Sequence, residues 1–379
     1  MELDYNFYAL FETVGFIQAI TLGSLLIILN KGKYKSTLFL GIFLVFFGLE
    51  TIPIILESLN AYRVYPDLYL LPFDLFWFHF PLFFIYIQQV CIFADRKTKY
   101  WVLYPGLIAF SLQVAVFFSP YETKLAITDH IAYQVYLLLK IGYGLGIGFY
   151  TLRLLYDHKI EVRNFFSKID YHELHWARFF LIFNISGSIL YSIVHYSVEP
   201  GPLSNLFFLS FDLLLIYWVS YHGVEQRNVL SILAKKTDVF KFSPQRPKER
   251  KQATLPEKSE STEQEGLESL MEAIDEHMIT SETFIHHELT IVDLADSLKE
   301  HPKRISTAIN TLRNQNFNTY VNRFRIKKAK ELLQNEGKEH LSIEGIGNEV
   351  GFHSKSAFYS AFKKETGTTP TRFKEREAV

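Results

Sequence analysis

Along the first two-thirds of the chain, apolar residues run on without a polar face to interrupt them. Seven stretches, at residues 8–29, 37–56, 70–93, 100–118, 131–152, 177–198 and 206–221, are long and apolar. A helix needs roughly 20 such residues to cross a hydrocarbon core. Few soluble helical cores call for seven such runs in succession, so residues 1–225 read as a seven-helix transmembrane bundle. Beyond residue 265 the rhythm changes to an amphipathic helical one. Leu267, Leu270, Met271 and Ile274 mark a first helix, and Ile291, Leu294, Ala295 and Leu298 a second with Thr290 as its N-cap. Pro302 opens a third, where proline is tolerated because the first-turn N–H has no helical partner. A long helix follows over about 318–334. Two more short helices are capped by Ser342 and Ser354, with Gly351-Phe352 between them, and a last one covers 370–376. The pattern is all-α throughout.

Between these parts, 226–265 reads as a helical extension of span seven that passes into a flexible linker. Val229, Ile232 and Leu233 continue the helical spacing, and 235–265 is rich in Lys, Glu, Ser, Gln and Pro. About 30 such residues span roughly 30 Å as a coil.

Charge supports this division. Residues 1–225 hold 31 of the 79 Asp, Glu, Lys and Arg, and the shorter remainder holds 48. In the loops between spans, eleven Lys and Arg fall in the odd-numbered loops (Lys31, Lys33, Lys35, Arg96, Lys97, Lys99, Arg153, Lys159, Arg163, Lys168, Arg178). Only Arg63 and Lys124 fall in the even ones. The positive-inside bias then places the N-terminus outside and the C-terminal part in the cytoplasm, with the chain in the plasma membrane. The N-terminus lacks the basic region of a cleaved signal. Cys91, the single cysteine, sits in an apolar run and reads as a small buried hydrophobe.

Ionisable residues inside spans are costly and therefore candidates for function. Glu50, Asp74, His79, Lys140 and Asp212 gather from the outer half to the midplane of the bundle by residue count, and are expected to line a pocket for a small-molecule or membrane signal. An ammonium at the depth of Lys140 needs a carboxylate, so Glu50, Asp74 or Asp212 should lie within ion-pair reach of it. The alternative is an ion pair that only holds helices together. No metal-ligand spacing, nucleophile elbow or phosphate loop stands out, and neither a catalytic residue nor a cofactor is expected. A competing reading of the spans is a membrane transporter or enzyme with a fused regulatory domain.

The two short helix pairs joined by a long helix predict a double helix-turn-helix domain over 266–379. The run Ile343-x-x-Ile346-Gly347-x-x-x-Gly351-Phe352-His353-Ser354-x-Ser356-x-Phe358-x-x-x-Phe362-Lys363-Lys364-x-x-Gly367-x-x-Pro370-x-x-Phe373-Lys374 resembles the signature of the AraC/XylS regulators. Upstream, Asn310 and Phe317-x-x-Tyr320-Val321-Asn322-x-x-Arg325-Ile326-x-x-Ala329-x-x-Leu332-Leu333 resembles the linker helix of the same family. It departs at Gly347, where alanine is usual, and at Glu300-His301-Pro302, which lacks the usual glycine-containing turn. Between Ser297 and Lys374 there are 15 Lys and Arg against 7 Asp and Glu, the balance expected of a phosphate-binding surface. The resemblance implies a sequence-specific transcription regulator that binds double-stranded DNA as a homodimer, with RNA polymerase as a further partner. It implies that Lys303, Ser306 and Thr307 face bases from the first recognition helix, and Lys355, Ser356, Tyr359 and Ser360 from the second. Ser354, Arg325, Lys363 and Lys374 are the implied phosphate contacts. Together these readings describe a regulator tethered to the bilayer, with a signal to its membrane part controlling its hold on DNA.

Overall fold

A computed structural model of the protein describes residues 3–30, 35–168, 173–197, 202–225, 257–334 and 341–377. Among them the secondary structure is helical, with one isolated antiparallel bridge between Phe166 and Thr290. The chain divides into two compact units, Met1–Asp157 with Leu174–Leu230, and His158–Glu173 with Ser231–Val379. Residues 158–173, expected as a loop of the first part, therefore cluster with the second.

The first unit is built from α1 (Phe7–Asn30), α2 (Lys35–Glu50), α3 (Ile52–Ser58), α4 (Ala61–Val64), α5 (Phe76–Val90), α6 (Tyr104–Phe117), α7 (Tyr121–Asp129), α8 (Ile131–Phe165) as far as Asp157, α9 (His175–Ser197) and α10 (Pro202–Glu225). Among the described residues, four stretches are long and apolar enough to cross a membrane: Phe7–Ile28, Ser36–Ser58, Tyr100–Phe117 and Ile131–Phe165. The expected span at 70–93 contains only the 15-residue α5, about 22 Å of helix at ~1.5 Å per residue. That is shorter than a hydrocarbon core of about 30 Å. Pro72 lies in the non-helical stretch before it. The helix α8, with 35 residues, is far longer than the expected 131–152 and carries Arg153, Asp157, Lys159 and Arg163 in its last turns.

Glycines let α1 and α2 approach closely. A Cβ on Gly23 would stand 2.8 Å from Gly41 O, and one on Gly41 would stand 2.6 Å from the Ile27 side chain. Small residues play this part where helices pack by van der Waals contact alone. Inside, aromatic rings interlock: Phe83 lies 4.6 Å from Phe180 and 5.7 Å from Phe43, centroid to centroid. Outside, Leu10, Ile28, Ile108, Leu138, Leu139 and Leu214 are exposed. So much exposed aliphatic surface suits an apolar surrounding.

The second unit holds α11 (Glu257–Ser281), α12 (Ile291–Leu298), α13 (Pro302–Arg313), α14 (Phe317–Leu333), α15 (Ile343–Glu349), α16 (Lys355–Thr366) and α17 (Pro370–Glu377). The part of the expected linker at 226–256, with the helical continuation through Val229, Ile232 and Leu233, lies outside the described residues. Its remainder, 257–265, is the start of α11 rather than coil. Glu and Lys are good helix formers, and acids in the first turns complement the N-terminal dipole.

Each short helix begins on a side-chain cap. Thr290 and Asp293 form a capping box, Ser342 Oγ accepts from Gly345 N at 2.9 Å, and Ser354 Oγ accepts from Ala357 N at 3.3 Å. Asn316 caps α14 through Thr319 N at 2.9 Å. The helix α14 serves two cores. Its first half buries Phe317, Tyr320 and Val321, and the helices before it bury Ile291, Leu294, Ile305 and Ile309. Its second half packs Ile326, Ala329, Leu332 and Leu333 against Ile346, Val350, Phe352, Phe358 and Phe362. Asp275 of α11 ties the first core to its neighbours, accepting from Tyr320 Oη at 2.6 Å and pairing with Arg313. Burial, then the hydrogen bond to Asp275 and its charge, push the Tyr320 phenol above its ordinary range.

Candidate nucleic-acid interface

The helix α13 buries Pro302, Ile305, Ala308 and Ile309. The opposite side exposes Lys303, Thr307 and Asn310, with Ser306 half-buried beside them. Asn310 Nδ2 donates to Ser306 Oγ at 3.2 Å. Asn310 was not among the residues expected to face bases, yet it continues the spacing of Lys303 and Thr307 at 3–4-residue steps. An Asn amide can read an adenine edge through two hydrogen bonds. Arg304, also exposed, is held by Glu300 through two contacts of 2.8 and 2.9 Å.

The helix α16 turns Phe358 and Phe362 inward. It exposes Lys355, Ser356, Ser360, Lys363 and Lys364. Tyr359 departs from expectation. It is half-buried, packs against the second core, and has its hydroxyl 3.1 Å from Thr371 Oγ1 of α17. Its ring supports Lys355, whose Nζ stands 5.8 Å from the ring centroid. The Ser354 hydroxyl caps α16, and Lys374 is half-buried.

Arg325 is the clearest correction. Expected at a phosphate, it is 2% exposed. Its Nε donates to Phe284 O at 2.6 Å, and its Nη2 to His286 O at 2.8 Å and Ser167 Oγ at 3.3 Å. Its Cζ stands 5.6 Å from the Phe352 ring centroid. Burial lowers its pKa to about 10, so it is still cationic at neutral pH. Three of its five N–H donors are engaged by two carbonyls and a hydroxyl, and its burial holds it away from the surface that a phosphate could reach. A signal for this was present in the sequence: with Val321, Ala329 and Leu332, Arg325 lies on the buried stripe of α14.

With this geometry in view, the comparison with known families bears on the second unit. Residues 294–376 match the family model of a helix-turn-helix domain. The match begins inside α12 and takes in α13, α14 and both helices of the second pair. It supports a DNA-binding transcription regulator of the AraC type. No curated protein and no solved structure matches the chain.

In the first unit the expected polar residues separate into two groups. Lys140 Nζ lies 2.8 Å from Asp74 Oδ2, the ion pair that burial of an ammonium requires. Gln113 brackets the Asp74 backbone, accepting from its N–H at 3.2 Å and donating to its carbonyl at 2.9 Å. Gln113 also donates to Tyr136 Oη at 3.3 Å, which accepts from Trp77 Nε1 at 3.0 Å. His79 is apart from this network. It is buried among Phe43, Phe47, Phe76 and Phe80, with Nε2 3.1 Å from Asn184 Nδ2. Phe76 touches both groups, stacking on His79 and lying 5.7 Å from Lys140 Nζ. Glu50 is half-buried, and the Asp212 side chain lies outside the described residues.

Breaking a largely buried pair from one side costs about 3–5 kcal/mol, whereas removing both charges costs much less. Thermal melts in detergent should therefore show Lys140→Met lowering the melting temperature more than the double variant Asp74→Asn/Lys140→Met. Equal losses would show that Asp74 does not depend on Lys140.

Proposed function

We propose that this chain is a membrane-tethered transcription regulator in which a signal received by the first unit sets the DNA binding of the second. The carrying observation is that helices of membrane-crossing length precede, in the same chain, a helix-turn-helix match at 294–376. In this reading the two helix pairs around α14 act as a double helix-turn-helix, and the four apolar stretches are joined by 70–93, made of α5 with the apolar chain on either side of it, and by α9 and α10, at 23 and 24 residues, to give seven spans. Loop charges support an N-terminus outside and the DNA reader in the cytoplasm. The polar network at Asp74, Lys140, Gln113 and Tyr136 is the candidate receiver of a small-molecule or membrane signal. The protein acts as a homodimer on DNA, with RNA polymerase as a further partner.

The base-facing set in this proposal is Lys303, Ser306, Thr307 and Asn310 on α13, with Lys355, Ser356 and Ser360 on α16. Lys363 and Lys374, with the Ser354 hydroxyl, contact phosphates. Base contacts specify and phosphate contacts position. The double variant Lys355→Ala/Ser356→Ala should cost about 1–3 kcal/mol for the preferred duplex and relax preference there. Lys363→Ala should weaken binding to all duplexes alike and reduce the salt slope by about one. Affinity titrations with selected and random duplexes at several salt concentrations check this. Equal effects of both variants on both duplexes would contradict the assignment.

A further inference from the structure

The second unit contains a piece of chain that neither helix pair nor α14 supplies. Phe165, Phe166 and Ser167 are buried at 4%, 3% and 4%. The Ser167 N–H donates to Leu289 O at 3.1 Å, and the Ser167 hydroxyl, 122 residues away in sequence, donates to the same carbonyl at 2.6 Å. Asn318 Nδ2 donates to Ser167 O at 2.6 Å, and Arg325 Nη2 to Ser167 Oγ at 3.3 Å. Phe166 pairs antiparallel with Thr290, and Lys168 Nζ lies 3.5 Å from Glu288. Both backbone polar groups of Ser167 are thus satisfied by one surface, as buried backbone groups require.

We propose that residues 165–168 form a clip whose docking surface is Leu289, Thr290, Asn318 and Arg325, and that this clip transmits the state of the first unit to the helix pairs. This rests on the reading of the second unit as the DNA reader. The clip follows directly from α8, a single helix with residues in both units. Its Ser167 touches Arg325, which holds the Phe284 and His286 carbonyls. Arg325 also underlies the turn of the second pair, because a Cβ on Gly351 would stand 2.9 Å from its Nε. A shift of the clip therefore reaches the elements that set α16. With the clip in place, Lys303, Thr307, Lys355, Ser356 and Ser360 remain exposed. It is a coupling contact and not a cover over the base-facing sides.

The test uses the full-length chain in membranes. In a Cys91→Ala background, the pair Phe166→Cys/Thr290→Cys places two thiols on directly opposed residues. Such residues have Cα atoms about 4.5–5.5 Å apart, inside the disulfide range of about 4.4–6.8 Å. On mild oxidation this pair should lose maleimide labelling, while Phe166→Cys/Lys374→Cys keeps it; equal behaviour of the two pairs overturns the clip. Hydrogen exchange serves if the cysteine pair does not fold. The Ser167 amide, which donates to Leu289 O, should be protected in the unaltered chain and exchange at least tenfold faster in Asn318→Ala, with α16 unchanged. No protection at the start, or no change in Asn318→Ala, overturns the proposal. The oxidised pair should still bind the duplex that the unaltered chain selects from a random pool. Loss of binding on oxidation identifies an inhibitory cover instead. Failure of the unaltered chain to select any duplex refutes the DNA-reading proposal, while the thiol and exchange results still judge the clip.

Discussion

Arg325→Ala is expected to destabilise the second unit by roughly 3–5 kcal/mol, a loss in the range seen when one partner of a buried charged interaction is removed. The substitution leaves the Phe284 carbonyl without a donor, a buried orphan that costs about 1–3 kcal/mol, and takes from the His286 carbonyl one of two donors, the other being the Leu289 N–H at 3.2 Å. It also removes the packing of the guanidinium beneath Phe352. Arg325→Lys keeps the charge but not the planar fork, so it should recover only part of the loss. Denaturant unfolding of the full chain, followed by exchange of the α14 and α16 amides, measures this. DNA binding should fall for every duplex together, in step with unfolding. Unchanged stability with a reduced salt slope would restore Arg325 to the phosphate role that the family resemblance implies.

Gly351→Ala is expected to cost about 3 kcal/mol by a different route. Gly351 has φ +99°, a backbone conformation that L-residues adopt at a cost of about 1–2 kcal/mol. The added Cβ would also stand 2.6 Å from Ile285 O and 2.8 Å from Phe284 O. Those atoms are backbone and cannot rotate away, and overpacking of this kind costs about 1–3 kcal/mol. Because the same Cβ presses on Arg325 Nε, the two substitutions should not add. The double variant should lose clearly less than the sum of the single losses, since neighbours that share a network couple. Strict additivity in unfolding experiments would mean that the turn and Arg325 are independent.

What the sequence made readable follows the strength of its local signals. Thr290, Ser342 and Ser354 were expected to cap helices and do so, because a short polar side chain before an apolar helical period has few other uses. The start of α13 at Pro302 was readable for a similar reason. The membrane part was readable as apolar helices but less so in its boundaries. Hydrophobicity does not show that, of the apolar stretch 70–93, only the 15 residues of α5 are helical. The expected partner of Lys140 was found in Asp74 because an unpaired ammonium in an apolar bundle leaves few alternatives.

The clip at 165–168 was not readable. Its contacts join residues more than a hundred positions apart, and Phe-Phe-Ser-Lys carries no local period that names a partner. Tyr359 was placed with the base-facing residues by the family resemblance, yet its hydroxyl lies 3.1 Å from Thr371 Oγ1 of α17. Gly347 replaces the usual alanine for a reason that appears only in three dimensions. A Cβ there would stand 2.9 Å from the Phe358 ring, so glycine lets α15 and α16 close on that ring.

The most direct measurement is genome-wide mapping of the DNA crosslinked to the full-length protein recovered from the membrane fraction. A discrete set of sites sharing a sequence is expected, with loss of those sites in the Lys355→Ala/Ser356→Ala protein still present in the membrane. Uniform coverage of the genome, or DNA-bound protein found only in the soluble fraction, would contradict it.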